Sequence, residues 1–151
     1  MCTKRQLQAL ALLAVLANGH VLAQDCAGTR PATQQDLAHG EGITLLNDMA
    51  AACRSPQPEN FLRLQTSSAR GLAHRASDRA SLVRTYCEFT EQALNTLGGN
   101  AAAGLHSIGP YKGRSRCGVL ASYWFVHAKS GELALRLAVA VEGGRLRIDT
   151  H

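Results

Sequence analysis

The chain has 151 residues, of which 46% are hydrophobic and 18% charged, and its formal net charge is +5 at pH 7. That length suits a single domain, and the hydrophobic fraction excludes a chain that is disordered throughout. Aromatic residues make up 5% of the chain, so aliphatic side chains must build most of the core. The basic residues are spread along the sequence without a dense tract, which argues against nucleic-acid binding.

The first 23 residues have the pattern of a secretory signal peptide. Lys4 and Arg5 precede an apolar run over 7–17, and Val21-Leu22-Ala23 resembles a cleavage site. The run is shorter than the roughly 20 apolar residues that span a bilayer. We therefore expect cleavage near Ala23, a periplasmic or secreted protein and no stable membrane anchor. The alternative is an N-terminal helix that stays in the fold. Cleavage would leave 14 basic and 11 acidic residues, a net charge of +3.

Four cysteines follow the predicted cleavage site, whereas Cys2 would be removed with the signal peptide. An even number in an exported chain predicts two disulfides, and the sequence leaves all three pairings open. A zinc site is disfavoured because no two of these cysteines are close in sequence. We expect no metal and no cofactor, and free buried thiols are the alternative to disulfides. The four residues are Cys26, Cys53, Cys87 and Cys117.

The mature chain is predicted to consist of a polar arm over 24–39 and one domain over 40–151. Thr33 and Asp36 have the spacing of a capping box at the start of a helix whose firm part is 43–54. A short helix is predicted near Glu59, with Phe61 and Leu62 facing inward. The strongest helix is predicted from Ser77, its N-cap, to the break at Gly98-Gly99. Its predicted apolar stripe is Leu82, Tyr86, Phe89, Ala93 and Leu97.

The last third of the chain has the two-residue period of strands, after a loop or irregular strand over 101–116. Strands are predicted over 117–128, 132–142 and 145–150. Gly143-Gly144 is typical of a type I′ hairpin that pairs Glu142 with Arg145. One strand face is predicted to be buried, and it consists of Leu133, Leu135, Leu137, Val139 and Val141.

The turn at Lys129-Ser130-Gly131 sets the register of the first hairpin. A three-residue turn with a glycine bulge pairs Ala128 with Glu132 and brings Tyr123 and Phe125 onto the leucine face. A two-residue loop at Ser130-Gly131 would bring Trp124 there instead. We prefer the bulge, and the predicted fold is α+β, with N-terminal helices packed on a C-terminal antiparallel β-meander.

This order of elements resembles small exported bacterial members of the nuclear-transport-factor-2-like superfamily. The resemblance spans about residues 40–150 and rests on Phe61-Leu62-Arg63-Leu64, on the helix from Tyr86 to Leu97-Gly98 and on the final meander. It implies a cone-shaped α+β fold, a pocket between helices and curved sheet, and frequent dimers. It does not imply one function, because the fold hosts both enzymes and non-catalytic modules.

Several residues are candidates for binding. Trp124, Arg136 and Arg147 are predicted on the second sheet face, which is too apolar for ordinary solvent-exposed surface. The alternatives are a surface for a protein partner or homodimer, and strands covered by the N-terminal arm. Arg75 and Arg79 are predicted near the start of the long helix, where they could bind an anionic ligand, a phospholipid headgroup or an acidic partner. The alternative is a solvated helix face.

Catalytic motifs are weak by comparison. His127 could act as a general base in a pocket with Tyr123, although a partly buried structural histidine is the plainer interpretation. The sequence contains neither HExxH nor GxSxG. We therefore expect an exported, non-enzymatic binding or accessory protein that acts on a protein partner, or on a small ligand, through a sheet face or a helix–sheet pocket. The alternatives are a small pocket enzyme that uses His127 and a periplasmic immunity-type inhibitor of a toxin.

Overall fold

A computed structural model describes residues 26–38, 40–71, 75–110, 121–127 and 129–149, and of Ala76, Leu105, Pro110 and 121–127 it describes the backbone. The predicted signal peptide, Cys2 and Cys117 lie outside these ranges. The helices are α1 (Gln34–Leu37), α2 (Glu41–Cys53), α3 (Pro58–Leu62), α4 (Ser67–Arg70) and α5 (Ala76–Thr96), followed by a 3-10 turn at Ala101–Ala103. The strands are β1 (Thr29–Pro31), β2 (Gly104–Pro110), β3 (Ala121–His127), β4 (Leu133–Glu142) and β5 (Arg145–Ile148).

The strands form one antiparallel sheet in which β2, β3, β4 and β5 follow each other as a meander. Val139 of β4 pairs with Ala121 of β3 and with Ile148 of β5, so β3 and β5 lie on opposite edges of β4. β1 pairs with Glu142, Val141 and Ala140 on the edge away from β5. It therefore continues the line of β3. The α+β class, with helices packed on the meander, is confirmed.

The sheet is larger than the three strands predicted. Residues 104–110, predicted to lie in a loop or an irregular strand, form β2, because pairing with β3 stabilises this segment despite Gly104, Gly109 and Pro110. The predicted arm is also part of the fold. Its residues 29–31 form β1 on β4, and Thr33 and Asp36 form the predicted capping box. The box begins the short helix α1, whereas the predicted firm part over 43–54 belongs to a separate helix, α2, with Gly40 as its N-cap. In that box the Thr33 amide donates to the Asp36 carboxylate at 2.7 Å.

The predicted register of the Gly143-Gly144 hairpin is confirmed, and the predicted register of the first hairpin is confirmed as far as Phe125 but not next to its turn. Glu142 pairs with Arg145, and the turn between them has positive φ at Gly143 (60°) and Gly144 (75°), as a type I′ turn requires. Tyr123 pairs with Leu137 and Phe125 with Leu135, which is the register predicted from the glycine bulge. The ladder then shifts by one residue between Phe125 and Val126, so that Val126 pairs with Leu133.

The long helix differs from the prediction in its first residue and in the position of one side chain. It begins at Ala76 with Arg75 as its N-cap, so Ser77 lies inside the first turn. Most of its predicted apolar stripe is confirmed, since Ala93 and Leu97 are buried and Tyr86 packs against the core. Thr90 is buried beside them, whereas Phe89, predicted in the core, is 47% exposed.

The core lies between the leucine face of the sheet and helices α2, α3 and α5. α3 contributes Phe61 and Leu62, both buried as predicted. The largest fully buried hydrophobic side chains are Leu46, Met49, Phe61, Val139 and Ile148. A disulfide joins Cys53, the last residue of α2, to Cys87 in the middle of α5, with the two Cα atoms 5.4 Å apart. Cys26 is disulfide-bonded as well.

Candidate functional site

The Cys53–Cys87 disulfide fixes the rotation of α5 about its own axis. Cys87 must face α2, and Thr90 and Leu94 lie on the same side, where they line a groove between α2 and α5. At about 100° per residue, Phe89 points roughly 200° away from Cys87. The disulfide therefore directs the Phe89 ring away from α2 and leaves it half-exposed beside the start of β4.

Phe89 is held at the end of a row of aromatic rings. The buried ring of Phe61 packs against Tyr86 at 5.6 Å between ring centroids, and Tyr86 meets Phe89 edge to face at 6.4 Å. Edge-to-face pairs at this spacing are favourable beyond their buried area. The row therefore positions a large apolar side chain on the surface before any partner is present.

Leu133 is the second exposed apolar side chain, at 50% exposure. It was predicted on the leucine face with Leu135, and this prediction is wrong. The register shift leaves Ala134 as an extra residue in β4, opposite the step from Phe125 to Val126. An extra residue interrupts the alternation of a strand. Leu133 therefore falls outside the buried face that continues from Leu135 to Val141.

These two side chains meet in one groove of about 230 Å³ between α5 and β4, which we call the apolar groove. In the described parts of the chain, Phe89 and Leu133 are the large hydrophobic side chains that remain exposed. Among the described side chains that line the groove, Arg136 is the charged one; they belong to Phe89, Gln92, Leu133, Ala134, Leu135 and Arg136.

The predicted second sheet face is divided between an open and a covered part. Arg136 is exposed and pairs in register with Trp124, whose side chain lies outside the described residues. Ala140 is fully buried and pairs with Pro31 of β1, so the predicted arm does contribute strand to this end of the sheet. The arm therefore contributes a strand at this end of the sheet, and a partner surface around Trp124 and Arg136 stays a prediction.

The other predicted binding residues lie elsewhere. Arg147, half-buried on β5, donates from its NH1 group to the Arg63 carbonyl and lines a separate groove of about 340 Å³ between α2 and β5. Arg75 and Arg79 lie at the start of α5, where Arg75 is exposed and Arg79 half-buried. The structure therefore does not bring Arg147, Arg75 and Arg79 together with Arg136.

For His127 and Tyr123, the predicted catalytic pair, the structure describes the backbone and not the side chains. Tyr123 pairs with Ile108 and Leu137, and His127 pairs with Gly104, so both lie within β3. The role of His127 as a general base stays a prediction. Within the described residues, no group of three histidine, cysteine, aspartate or glutamate side chains could hold a metal ion. None of the described helices combines the length and apolar character needed to cross a membrane.

One histidine that sequence reasoning placed in a loop lies within the sheet. His106 is half-buried on β2, and burial lowers the pKa of its imidazole below the usual value, against the effect of a hydrogen bond to the Ala101 backbone. It lines a groove of about 350 Å³ between α1, the start of α2 and β2. Among the described residues that line this groove, His106 has no titratable neighbour with which it could form the paired groups of an acid–base site.

Comparison of this chain with protein-family models, with curated proteins and with solved structures finds no significant match. The function is therefore argued from the site itself. The disulfide between Cys53 and Cys87 fits an extracytoplasmic protein, because oxidising compartments are where such bonds form and persist.

Proposed function

We propose that the protein is an exported, non-enzymatic binding protein that recognises a protein partner through the apolar groove. The observation that carries the proposal is the convergence of Phe89 and Leu133, from two different elements, in one groove beside Arg136. Aromatic residues such as Phe, and arginine, are enriched in protein interfaces relative to the rest of the surface. Export after cleavage near Ala23 and membership of the nuclear-transport-factor-2-like superfamily are parts of the same proposal.

Charge favours an acidic partner over a second copy of the chain. Arg136 is the charged residue of the groove, and the protein as a whole is basic. In a two-fold symmetric contact the same patch meets itself, so the two Arg136 residues would approach each other. A partner that offers an apolar side chain for the groove and a carboxylate for Arg136 avoids this repulsion.

Site-specific photocrosslinking in the producing organism tests the proposal. A photoreactive amino acid replaces Gln92, which lines the apolar groove, and a control placement replaces Asn95, which lies on the same helix but lines the groove next to α2. We expect the Gln92 position to give one discrete adduct with a different protein, identified by mass spectrometry, and the Asn95 position to give none.

Substitutions in the groove make the test quantitative. Hot-spot truncations cost about 2 kcal/mol, so Phe89→Ala and Leu133→Ala should each weaken the partner's binding about 30-fold. Thr85→Ala, an exposed change on the same helix, should leave the affinity unchanged. If the adduct instead contains two copies of this chain, the groove binds a second copy and not an acidic partner. No adduct at Gln92, or an adduct that survives Phe89→Ala and Leu133→Ala together, would refute the proposal.

A further inference from the structure

The two outer edges of the sheet are closed in different ways. The edge of β5 is covered by backbone, since the Ile148 amide donates to the Leu64 carbonyl and the Thr66 amide donates to the Ile148 carbonyl, both at 2.9 Å. The other end of the strand order is β2, which pairs with β3 on one side. An uncovered strand edge is a template for pairing with another strand.

Among the described residues, the side chain of Gln34 covers the middle of the β2 edge. The Gln34 carboxamide donates from Nε2 to the His106 carbonyl at 3.5 Å and accepts at Oε1 from the Ile108 amide at 3.1 Å. This is the two-bond pattern that the backbone of Ile148 makes with Leu64 and Thr66 on the opposite edge. Gln34 therefore takes the place that the N–H and C=O of one residue of an adjacent strand would occupy.

The segment that carries Gln34 is tied to the sheet. Gln34 is the first residue of α1, whose capping box is formed by Thr33 and Asp36. Asp36 also accepts from Arg30 of β1, with a distance of 2.9 Å for the NH1 bond, and β1 is itself paired with β4. β1, the Arg30–Asp36 pair and α1 thus form a clip that holds one carboxamide against the β2 edge.

We infer that the β2 edge is a latent strand-addition surface for a second copy of this chain, and that Gln34 keeps it closed. Because His106 and Ile108 use the outer edge, the residues between and beside them bond to β3. Two β2 strands related by a two-fold axis at Ser107 would pair His106 of one copy with Ile108 of the other, twice. Such an antiparallel pair is self-complementary and closed, so it yields a dimer and not a fibre.

The first test removes the carboxamide and measures the oligomeric state. Gln34→Ala and the neighbouring control Gln35→Ala are compared with the unmodified protein by light scattering and native mass spectrometry over a concentration series. Gln34→Ala should dimerise at a concentration at least about tenfold lower than the other two, because hydrogen bonds no longer have to be broken first. If all three have the same oligomeric state at every concentration, the inference is wrong.

A charge pair at Ser107 locates the contact. Ser107 is exposed, and across the two-fold axis it would face its own copy at a non-hydrogen-bonded position, where Cα atoms are about 4.5 Å apart. In the Gln34→Ala background, Ser107→Lys or Ser107→Glu alone should abolish the dimer, and mixing the two variants should restore it. A dimer unaffected by these changes would lie elsewhere and overturn the inference.

Two further measurements keep the test decisive. Circular dichroism must show that the Gln34→Ala variant remains folded. If this variant unfolds, Gln34→Glu is used in its place, because its carboxylate can accept from the Ile108 amide but cannot donate to the His106 carbonyl. The same dimerisation is expected for Gln34→Glu. Adding Phe89→Ala to Gln34→Ala should leave the dimer intact. Loss of the dimer with Phe89→Ala would assign the contact to the apolar groove and refute strand addition at β2.

Discussion

Replacing Cys53 and Cys87 together by alanine should lower the free energy of unfolding by about 4 kcal/mol. The two cysteines are 34 residues apart, and the loop-closure relation for a ring of that size gives about 4 kcal/mol at 25 °C. Both side chains are only partly buried, so the loss of packing adds little. Domains of this size have a total stability of about 5–15 kcal/mol, so the change removes a large part of it.

Urea unfolding followed by far-ultraviolet circular dichroism measures this loss, without reductant so that the bond of Cys26 stays closed. With a denaturant slope of about 2 kcal/mol per molar urea, the midpoint should fall by about 2 M. Adding reductant to the double variant then gives the contribution of the remaining disulfide alone. A loss below about 1 kcal/mol at an unchanged slope would show that the disulfide does not restrict the unfolded chain as argued.

The hairpins were predictable because their signals are local. Two consecutive glycines favour the positive φ values of the type I′ turn, and the apolar residues flanking Gly143-Gly144 match only in the observed register. For the first hairpin, the side-chain pattern correctly predicts the pairing of Tyr123 with Leu137, but the chemistry of the turn does not predict the shift at Val126. Agreement of turn chemistry and side-chain pattern over about ten residues therefore holds for the second hairpin.

Phe89 and Leu133, the two exposed apolar residues of the apolar groove, were wrongly predicted to be buried, and the structure gives a physical reason for each. Periodicity places Phe89 on the same stripe as Tyr86 and Ala93, but the rotation of α5 is set by Cys87, whose partner lies 34 residues away. Leu133 follows the alternation of β4, but the register shift depends on the path of β3. In both cases a contact with a residue distant in the sequence decides which side of the element is buried. The four cysteines are the one sequence signal of such a contact, but the sequence leaves their pairing open.

β1 was not predicted, and β2 was predicted only as a loop or an irregular strand, because neither has an amphipathic pattern of its own. β1 has three residues and ends at Pro31, and β2 contains glycines at both ends of its run. Such segments become strands through backbone pairing with β4 and β3. Their side chains contribute little to that choice, so the sequence could not distinguish them from loops.

Two further predictions concern local features. Gly143→Ala should cost about 1–2 kcal/mol in urea unfolding, because φ is 60° there, and Gly143→Asn should cost less; equal costs would contradict this. The hydrogen bond from Arg30 lowers the pKa of Asp36 in the folded protein. The ionised Asp36 therefore stabilises the fold fully at a pH above its unfolded pKa of about 3.9, and this contribution is lost as the pH falls below that value. The melting temperature of the unmodified protein should therefore exceed that of Asp36→Asn at pH 6 and approach it towards pH 2. A difference that does not change with pH would mean that the Arg30–Asp36 pair does not hold α1 in place, and the clip over β2 would then depend on Gln34 alone.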